Sequence, residues 1–215
     1  MYKSIVTWPN KTLSKVCSPI TTGEDSYQFL DDLKDTFRVL QGYGLAAPQI
    51  GYSVSAFVIN PQLLEIEDHE EEVLEVINPS ISCSGEIVRV EESCFSIPEI
   101  SAYVPRYEKC VLTFCDREGN PRELNLFGFP AACVQHEFDH LTGQVFLNRL
   151  SRLKRSMLIK KVKKTRKRDR ELAALVKAQF EQDSELYNGK SSKSSPQKTG
   201  RSRKKKIRKK RNKRK

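Results

Sequence analysis

The sequence predicts an α+β fold: mixed, mostly antiparallel sheets around a central metal-binding helix, followed by a basic C-terminal helix and a disordered tail. Three observations carry that prediction. Short apolar runs bounded by Asn, Pro and Gly alternate with strongly patterned helical segments. The string Gln135-His136-Glu137-Phe138-Asp139-His140 sits in an apolar helical frame. The charge changes sign along the chain near residue 151.

Taken in order, residues 25–41 place Leu30, Leu33, Phe37 and Leu40 three and four apart with Gly42 directly after, the pattern of an amphipathic helix ended by glycine. A loop is expected next. Residues 54–59 and 73–77 are apolar runs closed by Asn60-Pro61 and Asn78-Pro79, and residues 87–90 alternate apolar with charged, so three short strands are expected. The acid-rich stretch 65–75 reads as a solvated loop with no chemistry of its own. Residues 111–115 and 122–127 flank a Gly-Asn-Pro turn at 117–121, which predicts a hairpin. Phe129, Pro130, Ala131, Ala132 and Val134 lead into the histidine helix, and Gly143 stops it. Ser151 opens a second helical segment with Leu153, Met157, Leu158 and Val162 among many Lys and Arg, expected to reach about Leu186. From Asn188 onward Ser, Lys, Gly and Arg dominate with no acidic residue, a composition unable to bury a core. The expected organisation is a catalytic domain at 1–150, a basic helix at 151–187 and a disordered tail at 188–215.

The formal charge of +11 over 215 residues hides a division. Residues 1–151 carry 11 Lys and Arg against 22 Asp and Glu, a net of −11, whereas residues 152–215 carry 27 against 5, a net of +22. No stretch approaches the roughly 20 apolar residues of a membrane span, and the first residues lack an apolar signal core, so no membrane association and a cytoplasmic location are expected. The six cysteines have no paired spacing and read as reduced thiols. A monomer is the default.

Residues four apart stack on one face of an α-helix, so His136 and His140 can both point at one ion, with Glu137 beside it as a general base. A hydrolytic metal centre keeps three protein ligands and one open position. From the residues alone the third ligand stays open between a cysteine, a carboxylate and His69. His69 lies in the acidic loop with no apolar frame. Cys94, in Glu91-Glu92-Ser93-Cys94-Phe95-Ser96-Ile97-Pro98, is better placed after a strand, although an isolated cysteine is also at home in a core.

A third segment, Gln41-Gly42-Tyr43-Gly44-Leu45-Ala46-Ala47-Pro48-Gln49-Ile50-Gly51, joins glycines that permit close backbone approach to an amide side chain. In this chain order the three segments resemble the peptide deformylase family: Gly-hydrophobic-Gly-hydrophobic-Ala-Ala-x-Gln, then Glu-Gly-Cys-hydrophobic-Ser, then Gln-His-Glu-x-Asp-His. The resemblance runs from about Tyr2 to about residue 165. It implies that Cys94, His136 and His140 hold the metal, commonly Fe2+ with Ni2+, Co2+ or Zn2+ as substitutes. It implies that Glu137 is the catalytic acid and base, and that Gln49 with the backbone N–H of Phe95 stabilises the oxyanion. The substrate would be the N-formylmethionyl end of a nascent peptide, laid as a strand against Gly44. Tyr43, Phe129, Ala132 and Cys133 would surround the methionine side chain and Glu92 the rim. Asp139 either orients a ligand histidine or is surface. Two departures stand out: Ser93 replaces the family glycine before the cysteine, and Ser101 stands where many members have arginine.

The basic segment at 151–186 resembles the C-terminal helix that docks bacterial members on the ribosome, so ribosome or rRNA association is expected, and the tail goes beyond that pattern. Two rivals are weighed. A general metallopeptidase would need a carboxylate or histidine ligand further along, which nothing after His140 supplies in a structured context. A catalytically impaired deformylase-like protein acting mainly as a ribosome or RNA-binding module would follow if Ser93 disabled the site, yet the ligand set, Glu137 and Gln49 are all present.

Overall fold

A computed structural model describes residues 1–21, 27–64 and 73–191. Among the described residues, 1–164 fall in one compact unit and 165–191 in a second.

Helix α1 (Gln28–Leu40) buries Leu30, Leu33 and Phe37, as their spacing predicts. Its stop is Gln41 and not Gly42: Gln41 takes φ +52 and its N–H closes on the Phe37 carbonyl. Gly42 is needed for space, because a Cβ there would lie 2.6 Å from the Phe95 ring.

Five strands, β1 (Gly44–Ala46), β2 (Ala56–Ile59), β3 (Leu74–Cys94), β4 (Ile97–Cys115) and β5 (Pro121–Phe127), pair in sequence order as one sheet. All four pairings are antiparallel. The expectation of mixed sheets is therefore corrected: among the described residues the parallel contact is an isolated bridge between Ser18 and Val54. Residues 44–46, expected as loop, form β1 because they find Phe57–Ile59 to pair with. Residues 74–77 of the first run and the run at 87–90, expected as separate strands, belong to β3. Asn78 does not end that strand. It takes φ +49, its side chain exchanges hydrogen bonds of 2.8 and 2.7 Å with the Ile20 backbone, and the register shifts between Ile77 and Ser80. Such a bulge lets a strand pass a proline that cannot donate to the ladder. The expected hairpin is present as β4 and β5.

The two faces of β2 meet different helices. Phe57 and Ile59 pack with Ala131, Val134 and Leu141 of α2 (Phe129–Leu141), whereas Ala56 and Val58 pack with Leu30, Leu33 and Phe37 of α1. A third cluster joins Cys94, Ile97 and Val104 to Phe146, Leu147 and Val162, the last from the start of α3 (Arg152–Ser191). Helix α3 runs beyond the expected end at Leu186 and through residues 188–191. The remainder of the expected tail, 192–215, and His69 lie outside the described residues. No helix among the described residues is long and apolar enough to cross a membrane.

Strand alternation prepares the site. At the ends of β3 and β4, Glu92, Cys94, Ile100, Ala102, Val104 and Arg106 turn inward, and Glu91, Ser93, Ser101 and Tyr103 turn outward.

Candidate metal centre and its cleft

Helix α2 starts after Gly128 (φ +68), holds Pro130 in its first turn and ends at Thr142. His136 and His140 fall one turn apart on its buried face, ring centroids 5.1 Å from each other. Cys94 closes β3 opposite them, its Sγ 3.3 Å from His140 Nε2. One donor atom from each of Cys94, His136 and His140 lies within 4.8 Å of the others. The sequence expectation thus meets in one cluster, with Cys94 as the third donor. One thiolate and two imidazoles, leaving a fourth position open, form a donor set that suits Zn2+ or Fe2+ and not a hard cation such as Mg2+.

Gln49 sits at the end of the tight turn after β1. Its Oε1 accepts from the Ala46 N–H at 2.8 Å, which aims Nε2 at Cys94 Sγ and Ser96 Oγ, both at 3.4 Å. Fixing one end of the amide on the backbone leaves its N–H groups directed at the centre. Glu137 is buried, and its Oε2 has no hydrogen-bond partner among the described residues, as is true of His140 Nδ1. Burial pushes the Glu137 carboxyl up to about 7, raised further by Glu92 and opposed by His136 and Arg106. Gly44 makes room for it: a Cβ at that position would lie 2.6 Å from Glu137 Oε1.

Around this cluster runs a buried ion-pair network that the sequence reading missed. His136 Nδ1 lies 2.8 Å from Glu92 Oε2, leaving Nε2 to face the centre. Arg106 donates to both Glu92 oxygens at 2.6 and 3.0 Å and to Asp139 Oδ2 at 2.7 Å. Arg149 donates to both Asp139 oxygens from the other side. Burial alone would raise the Glu92 carboxyl, but hydrogen bonds from His136 and Arg106 outweigh it and hold it at about 2. The His136 imidazole is disfavoured as a cation by burial, yet Cys94 and Glu92 raise its affinity for a proton, whereas burial and the neighbouring His136 lower that of His140. Glu92, expected at the pocket rim, lines the cleft but spends its carboxylate on Arg106 and His136. Asp139 is neither a histidine partner nor surface: it is buried and anchors Arg106. The available signal was Arg106 itself, a charged residue in the inward register of Ile100, Ala102 and Val104.

A cleft of about 600 Å³ opens on the cluster, lined by Tyr43, Gly44, Phe129, Ala132 and Cys133 together with Gln49, Cys94, Phe95, His136 and Glu137. Burial pushes the Cys133 thiol up to about 12, so it faces the cleft as a small neutral group. Ser93 has no left-handed backbone and pairs with Ser101 in the β3–β4 ladder, directly before a register shift at Cys94, so a residue other than glycine fits this position without a positive φ.

Residues 2–156 match the family model described as Polypeptide deformylase. The peptide deformylase of Helicobacter hepaticus is 37% identical over 166 residues, which are 76% of this chain and 92% of that protein. That of Wolinella succinogenes is 39% identical over 162 residues, 74% of this chain and 95% of its own. The crystal structure of peptide deformylase from Ehrlichia chaffeensis in complex with actinonin superposes with a TM-score of 0.68 at 38% identity, covering 76% of this chain and 97% of that one.

Proposed function

Because the chain belongs to the polypeptide deformylase family, we propose that it hydrolyses the N-formyl group of formylmethionyl nascent peptides, releasing formate and a free amine, with Fe2+ as its ion. The observation that carries this reading is the convergence of Cys94, His136 and His140 with Glu137 and the Gln49 amide in one cleft beside Gly44. The chemistry a bound ion would supply is polarisation of the formyl oxygen and activation of water as the nucleophile. Cys94, His136 and His140 are the residues that would hold it, and the Glu92 contact fixes which nitrogen His136 turns inward.

Glu137 takes the proton from the attacking water and returns it to the leaving amine. Its elevated proton affinity suits both halves of that transfer. Gln49 Nε2 and the Phe95 N–H donate to the oxygen on which charge develops, where a single donor is worth about 3 kcal/mol. The peptide adds as a strand beside Gly44, since β1 pairs only with β2 and keeps its other edge free among the described residues. Tyr43, Phe129, Ala132 and Cys133 receive the methionine side chain. Protein purified without oxygen, loaded with Fe2+ and given formyl-Met-Ala-Ser should release formate, and Glu137→Ala should not. Metal-loaded protein that releases none would overturn the reading in favour of an impaired enzyme.

The basic arm supports a second element of function. Helix α3 presents Arg152, Lys154 and a run of Lys and Arg through Arg168, a charge pattern suited to phosphate-rich RNA such as that of the ribosome. Truncation after residue 164 removes most of the arm's positive charge but leaves Arg152 to Lys164, so it should weaken salt-sensitive co-sedimentation with ribosomes while formate release from the tripeptide persists. Unchanged sedimentation would remove the arm from the proposal.

A further inference from the structure

Two of the six cysteines face each other outside the site described above. Cys83 of β3 and Cys110 of β4 are direct partners in the antiparallel ladder, so their side chains leave the sheet on the same face. Their Sγ atoms lie 3.6 Å apart and are not bonded. Opposed residues of an antiparallel pair have Cα atoms roughly 4.5–5.5 Å apart, within the span of about 4.4–6.8 Å that a disulfide bridges. Joining these sulfurs therefore asks for side-chain rotation and no backbone movement.

The two thiols differ in access. Cys110 is 1% exposed and packs with Leu112, Phe114 and Leu126, whereas Cys83 is only partly buried against that cluster. Burial, with the adjoining Cys83 adding to it, pushes the Cys110 thiol up to about 12. Cys83 is thus the sulfur that a small oxidant reaches first, with Cys110 directly behind it. The β3–β4 ladder is irregular on both sides of the pair: its register shifts between Ile77 and Ser80 and again between Ser84 and Ile87, where Gly85 takes φ +82. The chain between Cys83 and Cys110 carries Glu92, Cys94 and Arg106, a candidate metal donor and the ion pair that supports His136. Noncovalent pairing alone closes that loop. A covalent closure at its base would restrict its opening.

We propose that Cys83 and Cys110 are a peroxide-reactive pair, closing reversibly into a cross-strand disulfide that clamps the base of the loop bearing Cys94. The Cys83 thiolate attacks one oxygen of hydrogen peroxide, the O–O bond breaks, and the departing hydroxide takes up the proton that Cys83 released, leaving Cys83 as a sulfenic acid. The Cys110 sulfur then attacks the Cys83 sulfur, the S–O bond breaks, and hydroxide leaves with the Cys110 proton as water. Two thiols and one peroxide give one disulfide and two waters, with two electrons passing from the sulfurs to the peroxide oxygens. A dithiol reductant reverses the closure. The pair does this whichever reaction the metal centre performs.

The test uses the full chain loaded with Zn2+, which has no redox chemistry of its own. After treatment with hydrogen peroxide the protein is denatured, its remaining thiols are alkylated, and its peptides are mapped by mass spectrometry. The expected product links Cys83 to Cys110 and disappears on reduction with dithiothreitol. The thermal midpoint of the linked protein should lie about 5–10 °C above that of the same sample after reduction. Cys83→Ser should show neither the link nor the rise. Recovery of Cys83 and Cys110 as alkylated thiols while other cysteines have reacted, or oxidation of Cys83 that never reaches Cys110, overturns the proposal. So does a linked protein that unfolds no later than the reduced one.

Discussion

Two regions of the site stand one bond apart and differ in polar accounting. The network of Arg106, Glu92, Asp139 and Arg149 is complete: every carboxylate oxygen in it accepts at least one hydrogen bond. The cluster inside it is incomplete, with Glu137 Oε2 and His140 Nδ1 buried and unpartnered among the described residues. Buried polar groups are ordinarily satisfied because leaving them unmade is costly. The outer region therefore contributes to holding the fold, and the inner one is kept open for atoms the chain does not supply. The two histidines show the same division, since His136 has its outer nitrogen occupied by Glu92 and His140 does not.

That contrast can be broken from either side. Glu137→Gln should cut kcat/KM by about 10²–10⁴. Because Glu137 is buried with one oxygen unpartnered, the same change should leave urea stability of the metal-free protein unchanged or higher. A marked loss of stability would place Glu137 in the structural network instead. Arg106→Met should do the reverse first: Asp139 keeps Arg149, but Glu92 loses both guanidinium bonds and is left a buried anion with His136 as its remaining partner, which should cost about 3–5 kcal/mol in denaturant unfolding. Glu92→Gln is milder, keeping the shape while weakening the hold on His136, and should lower metal affinity about 10–100-fold in competitive chelator titrations. Retained affinity would show that His136 needs no outer partner.

The smallest effect sharpens the rule away from the centre. Asp32 of α1 is buried like Glu137 but accepts from Lys3 at 3.2 Å, from the Tyr52 hydroxyl at 2.8 Å and from Gln28 at 3.2 Å. Burial would raise its carboxyl, yet these bonds and one from the Met1 ammonium hold it well below the usual carboxylate range. Its stabilising contribution is therefore present above about pH 4, the value of an unfolded aspartate, and is lost as the pH falls below it. Asp32→Asn should be less stable than the parent at pH 7, with the gap narrowing under acid. A gap constant from pH 7 to pH 3 would contradict the linkage.

The difference between complete and incomplete regions also governs what the sequence reveals. His136, His140 and Glu137 are legible from helix spacing, whereas Cys94 stays one of several candidates on the residues alone and is singled out only by the resemblance of three segments in a fixed order. The supporting network is harder to read, because Arg106 is one arginine among many until strand register turns it inward beside Ile100, Ala102 and Val104. The β4–β5 hairpin and α2 were legible from local turn and spacing signals. The long β3 was not, because Asn78-Pro79 is a break by every local criterion and is carried through by Ile20, far away in sequence. Nor was β1, whose three residues are a strand only because β2 offers them partners.

The bare Cα of Gly44 faces Glu137 on one side and, among the described residues, belongs to the unpaired strand edge on the other. A methyl group there would push the acid out of position and block the approaching peptide in the same stroke. In the proposed reaction, recognition and proton transfer therefore share a single boundary, and any side chain at position 44 would disturb both at once.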